Sequence, residues 1–174
     1  MNICRIKDTF DPLFEKSLLL YRKSFPENER KELSYLLKPG QSIGAMYAVM
    51  DENEYAGFFC TLDVGDITHI IYLTIVEEKR NKGLGANVIE DYSNKCKDKR
   101  VIVDIECETE AAKDNLLRRR RKMFYLKNGF QETEVRYTWH GDDFEILSRN
   151  GLITNKEFSL FWDEIEKEDE DLLY

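Results

Sequence analysis

The chain has 174 residues with 34 acidic and 26 basic side chains, a net charge of −8, and 42% hydrophobic content including 12% aromatics. That apolar content excludes a disordered chain, the length suits one domain with a real core, and the acidic balance argues against non-specific nucleic-acid binding, which needs positive surface for the phosphates. Cys4, Cys60, Cys96 and Cys107 are scattered without any C-x-x-C spacing, so neither a zinc site nor a redox motif is expected. Scattered thiols, an N-terminus (MNICRIKDTFD) without the apolar core of a signal peptide, and no apolar run near the roughly 18 residues of a membrane span lead us to expect a soluble, cytoplasmic protein.

Residues 2–7 read as a first strand. Asp11-Pro12 supplies an N-cap and a proline at the first helical position, and Leu13, Ser17, Leu18, Leu20 and Tyr21 carry a helix to about Phe25. Pro26 interrupts it. Residues 27–38 are expected to form a second, highly charged helix with Leu33, Leu36 and Leu37 as its apolar side, ended by Pro39-Gly40. The runs IGAMYAVM (43–50) and EYAGFFCT (54–61) flank a turn at 51–53 and read as a hairpin. A second turn at 63–66 leads into Ile70–Val76, a β-branched and aromatic run without helical periodicity that fits a strand covered on both faces.

A polar turn, Glu77 to Lys82, follows. Gly83-Leu84-Gly85-Ala86 then opens a helix with Leu84, Val88, Tyr92 and Cys96 at i+4 spacing. A strand feeding a glycine-rich helix start presents unpaired backbone N–H groups and the positive end of the helix dipole, a natural anion site. Glycines let the backbone approach the anion closely, and Arg80 and Lys82 add full charges. The pattern is a diphosphate cradle, but not a common one. No Gly-Lys-Ser/Thr exists for a Walker loop, and Val88 stands where a dinucleotide fingerprint needs its third glycine.

Further on, 101–106 reads as a strand, and the polar segment 108–115 leads to a helix that reaches Asn128 with Gly129 at its C-cap. Residues 130–140 and 143–147 flank Gly141-Asp142 as an antiparallel pair. Residues 154–172 form a last helix with a Thr154/Glu157 capping box and Phe158, Phe161, Trp162 and Ile165 along one side. Hairpins plus one strand-helix-strand unit imply a mixed sheet with helices on both faces. The expected organisation is a domain over 1–148, with 149–174 as a helical extension packed on it. The aromatic stripe of that extension could instead meet a second copy, giving a homodimer.

The segment R-x-x-G-x-G-A, Arg80 to Ala86, after a strand ending at Val76, resembles the acetyl-CoA-binding segment of the GNAT superfamily of N-acetyltransferases. A second segment, F-Y-x-x-x-G-F from Phe124-Tyr125 to Gly129-Phe130, resembles the one that follows the fifth strand in many of its members. The resemblance implies an α/β fold of α+β type, with a mixed, mostly antiparallel central sheet, helices on both faces and here an extra C-terminal helix. It implies acetyl transfer from acetyl-CoA, as cosubstrate and without a metal, to an amine of a small molecule or peptide. The alternative is a non-catalytic CoA-binding regulatory module on the same fold. Neither nucleic acid nor membrane is an expected partner.

The resemblance also suggests roles. Tyr125 matches the tyrosine that serves as acid to the CoA sulfur; otherwise it is a core tyrosine. Ile75 and Val76 would lie beside the thioester and supply a backbone oxyanion donor. Arg80, Asn81, Lys82, Gly83, Leu84, Gly85 and Ala86 would hold the pyrophosphate. The base would be His69 or Glu106, with Asp104 and Glu108 as weaker candidates, ordered water as another solution, and a plain strand residue as the bland reading of each. Many members carry an asparagine where this chain has Arg118. Instead the helix holds Arg118 to Arg121 and Lys122, of which at least one should face the phosphates unless they form a solvated face. Glu27, Glu29 and Glu32 could recognise a cationic acceptor, whose identity stays open.

Overall fold

The computed structural model describes residues 1–27 and 30–168. Among these, seven strands form one sheet in the order β1-β2-β3-β4-β5-β7-β6: β1 Asn2–Ile6, β2 Gly44–Asp51, β3 Glu54–Val64, β4 Ile67–Ile75, β5 Arg100–Glu106, β6 Gln131–Trp139 and β7 Asp142–Arg149. The helices are α1 Pro12–Ser24, α2 Leu84–Lys95, α3 Asn115–Lys127 and α4 Asn155–Glu168. The β2–β3 hairpin turns through Glu52 and Asn53 and the β6–β7 hairpin through His140 and Gly141, all with positive φ. Two positive φ values in a two-residue loop match the right-handed twist of the strands they join. The second turn thus falls one residue earlier than the Gly141-Asp142 expected from sequence.

Several local expectations hold. The Asp11 carboxylate accepts from the Leu13 N–H at 2.9 Å, with Pro12 beginning α1. The α3 helix ends at Gly129, whose φ is +82°, with Phe130 N–H bonding to Tyr125 O and Gly129 N–H to Leu126 O. This double closure needs the left-handed conformation that glycine adopts freely. Thr154 and Glu157 bond reciprocally at the start of α4.

One element differs from expectation. The segment read as a second helix over 27–38 contains only a short 3₁₀ turn, Leu33–Leu37. Tertiary anchors decide its path. Leu33 and Leu36 are buried. The Tyr21 hydroxyl accepts from the Lys31 N–H at 2.7 Å and donates to the Lys31 carbonyl at 3.2 Å. The Arg30 guanidinium donates to the carbonyls of Phe25 and Arg22, both at 2.7 Å. These bonds take backbone groups that a helix would have used, and a charged helix with little buried surface has no compensating gain. Glu29, and the final helix beyond Glu168, lie outside the described residues.

Two apolar clusters cover the faces of the sheet. One joins α1, the 3₁₀ turn and α4 through Phe14, Tyr21, Leu33, Leu36, Phe158, Phe161 and Ile165. The other joins α2 and α3 through Leu84, Val88, Ile89, Tyr92 and Tyr125. Every neighbouring strand pair is antiparallel except β4 and β5. That parallel pair matches only Ile67–His69 with Arg100–Ile102 and then separates. At the same place β4 carries a bulge: Ile70 and Tyr72 pair with the consecutive Thr61 and Cys60, leaving Ile71 over. A bulge bends its strand and re-aims the side chains beside it, which turns β4 away from β5.

Candidate active site

The separation of β4 from β5 opens a cavity of about 1250 Å³. It reaches both faces of the sheet, since its walls include Phe124 and Tyr125 from one apolar cluster and Phe158 and Trp162 beside the other. One end is the glycine loop. Asn81 and Gly83 have φ of +60° and +82°, and Gly83 caps α2 without a side-chain hydrogen bond to the helix start. The first N–H groups of α2 therefore lack a side-chain cap, beside the cavity. A Cβ at Gly85 would meet the Phe124 ring at 3.3 Å, so its absence lets α3 close over the start of α2.

Arg80, Asn81, Gly83, Leu84, Gly85, Ala86 and Ile75 line this end, whereas Val76 and Lys82 are not among its lining residues. The Arg80 guanidinium donates to the Ile75 carbonyl at 2.8 Å, fixing the end of β4. Of the arginine run on α3, Arg121 lines the cavity and pairs with Glu106. Arg118 turns away: it is buried and clamps Asp114 and Asp142 at 3.0 and 2.9 Å.

At the middle lies Tyr125, whose ring packs edge-on against Phe124 and Phe130. Burial pushes its phenol up to about 12, the Asp104 charge adding to this and the Arg121 charge opposing it. It is therefore protonated at neutral pH.

The other end is built from side chains of distant segments. Here β5 contributes Asp104, whose carboxylate accepts from His69 Nε2 at 2.9 Å and from the Tyr137 hydroxyl at 2.7 Å. Burial raises the Asp104 carboxyl, but the His69 charge and the two hydrogen bonds outweigh it and hold the carboxyl below its ordinary value. Burial, reinforced by the same contact, drives the Tyr137 phenol well above the usual range. His69 is 1% exposed, set edge-on against Phe161 and Trp162, and its Nδ1 has no hydrogen-bond partner among the described residues. Phe25, Tyr72, Trp139, Phe144 and Phe158 complete an aromatic wall.

Both base candidates are thus engaged, His69 by Asp104 and Glu106 by Arg121. Asp104, ranked behind them from sequence, sits at the junction. Sequence reasoning missed Tyr137, Trp139 and Lys31. The Lys31 amine lies 5.3 Å from the Trp162 ring and 5.9 Å from Trp139. The signal was weak: one lysine in a charged run, and aromatics on strands and helices that ordinarily mark a core.

No protein-family model matches the sequence, and no curated protein matches it. Solved structures do. The chain superposes on a protein described as a GNAT-family acetyltransferase from Bacteroides thetaiotaomicron with a TM-score of 0.77 at 20% identity, over 95% of this chain and 96% of that one. The chain has the GNAT fold. It also superposes on an aminoglycoside 6'-N-acetyltransferase from Enterococcus faecium (TM-score 0.63, 16% identity, 86% and 96% covered). A third match is a GNAT-family acetyltransferase from Elizabethkingia anophelis solved with acetyl-CoA bound (TM-score 0.56, 17% identity, 85% and 96% covered). Within the GNAT fold of this chain, the two sequence motifs meet across the cavity: Gly85 lies against Phe124. No helix among the described residues is long and apolar enough to cross a membrane.

Proposed function

We propose that this protein is an acetyl-CoA-dependent N-acetyltransferase acting on an amine. The observation that carries the reading is the gap between β4 and β5, which joins an uncapped, glycine-led helix start to a protonated phenol and an ionised carboxylate in one cavity. That geometry fits an acyl-CoA. The N–H groups at the start of α2, with Arg80 beside them, would take the pyrophosphate. The edge of β4 beyond His69, which lacks a strand partner on that side, would bond the pantetheine amides as a neighbouring strand would. The acyl-CoA supplies the thioester; the chain supplies positioning and proton management.

Asp104 receives the acceptor's ammonium and passes the proton that the amine loses on to solvent, while His69 holds the carboxylate in place. The Ile75 backbone N–H stabilises the developing oxyanion; Val76, whose N–H is donated to the Ala56 carbonyl at 2.9 Å, is not available for that role. Tyr125, kept protonated at neutral pH because burial pushes its phenol up to about 12, hydrogen-bonds the departing sulfur and passes it a proton. Glu106 keeps Arg121 in place at the cavity wall.

The test is thiol release from acetyl-CoA with a panel of alkylamines, amino acids, polyamines and peptides, alongside calorimetry with CoA. Binding together with thiol release on at least one amine supports the proposal. Binding without thiol release on any of them would convert the reading to a CoA-binding module, and no binding would overturn it.

A further inference from the structure

Lys31 places a primary amine in the acceptor half of the cavity, and nothing in the reaction above uses it. Its backbone is held at both ends, N–H and carbonyl, by the Tyr21 hydroxyl, and Arg30 ties the preceding residue back to α1. The side chain is therefore aimed from a fixed base. Its amine meets the faces of Trp139 and Trp162, and it lines the same cavity as Asp104 and Tyr125.

Its burial also makes the amine reactive. Burial lowers the amine to about 8, against a partial opposing effect of Asp104. A usable fraction is then neutral near pH 7, whereas an exposed lysine is almost wholly protonated.

We infer that Lys31 is itself an acyl acceptor, so that the chain acetylates its own acceptor half. This rests on the transferase reading above. The lone pair of neutral Lys31 Nζ forms the bond to the acyl carbon and the carbon–sulfur bond breaks. The sulfur leaves with that electron pair and gains the Tyr125 proton. The nitrogen loses one proton to Asp104 and on to solvent, from which Tyr125 is reprotonated. The products are N-acetyl-Lys31 and free CoA thiol. The modification removes the cation that faces Trp139 and Trp162.

The chain contains two tryptophans, and both flank this amine, so tryptophan emission reports on it directly. The experiment incubates the full chain with acetyl-CoA and no other amine, maps the acetylated peptides by mass spectrometry over time, and follows emission in parallel. Lys31 is expected to gain an acetyl group at least about tenfold faster than exposed Lys16 and Lys156, because its amine lines the cavity proposed to take the thioester. The rate should not depend on protein concentration. The emission shift on acetylation should match that of unmodified Lys31→Gln and be lost in Lys31→Arg.

Acetyl-CoA binding with no preference for Lys31, or a rate that scales with protein concentration, overturns this inference and leaves the transferase reading standing. Absence of acetyl-CoA binding to the wild-type chain overturns both. Peptide mapping of the wild-type chain decides the matter even where a variant does not fold.

Discussion

The two ends of the cavity are made by opposite means. The proposed donor end is built from backbone: a strand edge that loses its partner after three residue pairs, and a helix start without a side-chain cap. Its side chains mostly point elsewhere or secure the backbone, as Arg80 does at the Ile75 carbonyl. The proposed acceptor end is built from side chains delivered by five segments: Lys31, His69, Asp104, Tyr137 with Trp139, and Phe158 with Trp162. A backbone site is damaged by adding atoms and tolerates their removal; a side-chain site behaves the other way. The difference also explains why one end is written in a short motif and the other is not.

That contrast can be attacked from both sides. The largest effect is expected from Gly85→Asp. A carboxylate in the first turn favours the helix itself but repels pyrophosphate, and its Cβ must displace the Phe124 ring lying 3.3 Å away. Acetyl-CoA affinity should fall by at least about 10²-fold, or about 2.7 kcal/mol, in calorimetry on a chain whose circular dichroism is unchanged. Retained affinity would remove the loop from the site. Tyr125→Phe should lower turnover by about 10²-fold, the scale of one acid–base group, with acetyl-CoA binding intact; unchanged turnover would return the residue to the core.

Asp104→Asn tests the acceptor end. Turnover should fall by a similar factor, about 10²-fold, while donor affinity moves less than about threefold, because the donor contacts are backbone ones elsewhere. The variant should also lose a pH dependence. A carboxyl held below its ordinary value supports the fold while ionised, so its contribution is present above about pH 3.9 and disappears as pH falls through the lowered value. Acid unfolding of wild type followed by circular dichroism should show that component and the variant should not.

The smallest effect belongs to Lys82→Ala. The residue is exposed and outside the cavity lining, and one surface charge contributes at most about 1 kcal/mol, screened by salt. Acetyl-CoA affinity should weaken less than about fivefold, and less still at high ionic strength. A loss as large as that from Gly85→Asp would show that the donor end depends on side-chain charge after all.

The strands were legible because their signals are local: alternating or continuous β-branched runs separated by turn residues with a required backbone conformation, such as Asn53 and Gly141. The glycine loop and the α3 terminus at Gly129 were legible for the same reason. The segment after Pro26 was not. Its charges are helix-compatible taken alone, and the Tyr21 hydroxyl that shapes it comes from another element. Asp104 was one acid among 34; only the packing of β4, β5 and β6 gives it His69 and Tyr137 as partners. Lys31 had only the weak signal of one lysine in a charged run, because two tryptophans far along the chain flank its amine. What the sequence withholds is which residues meet when distant segments close.

The short pairing of β4 with β5 has a mechanical consequence. The middle of a sheet is usually where amide hydrogens exchange slowest, since those strands open only with the whole fold. Here β1 to β4 form one half-sheet and β5 to β7 another, and among the described residues their strand pairing is limited to Ile67–His69 with Arg100–Ile102, beside side-chain links such as His69–Asp104 and Arg100–Asp66. Amides on the unmatched edge of Ile70–Ile75 should therefore exchange quickly for a central strand. A bound chain of amides lying in the gap would slow that exchange and stiffen the two halves as one body, serving as a strand the protein does not itself encode.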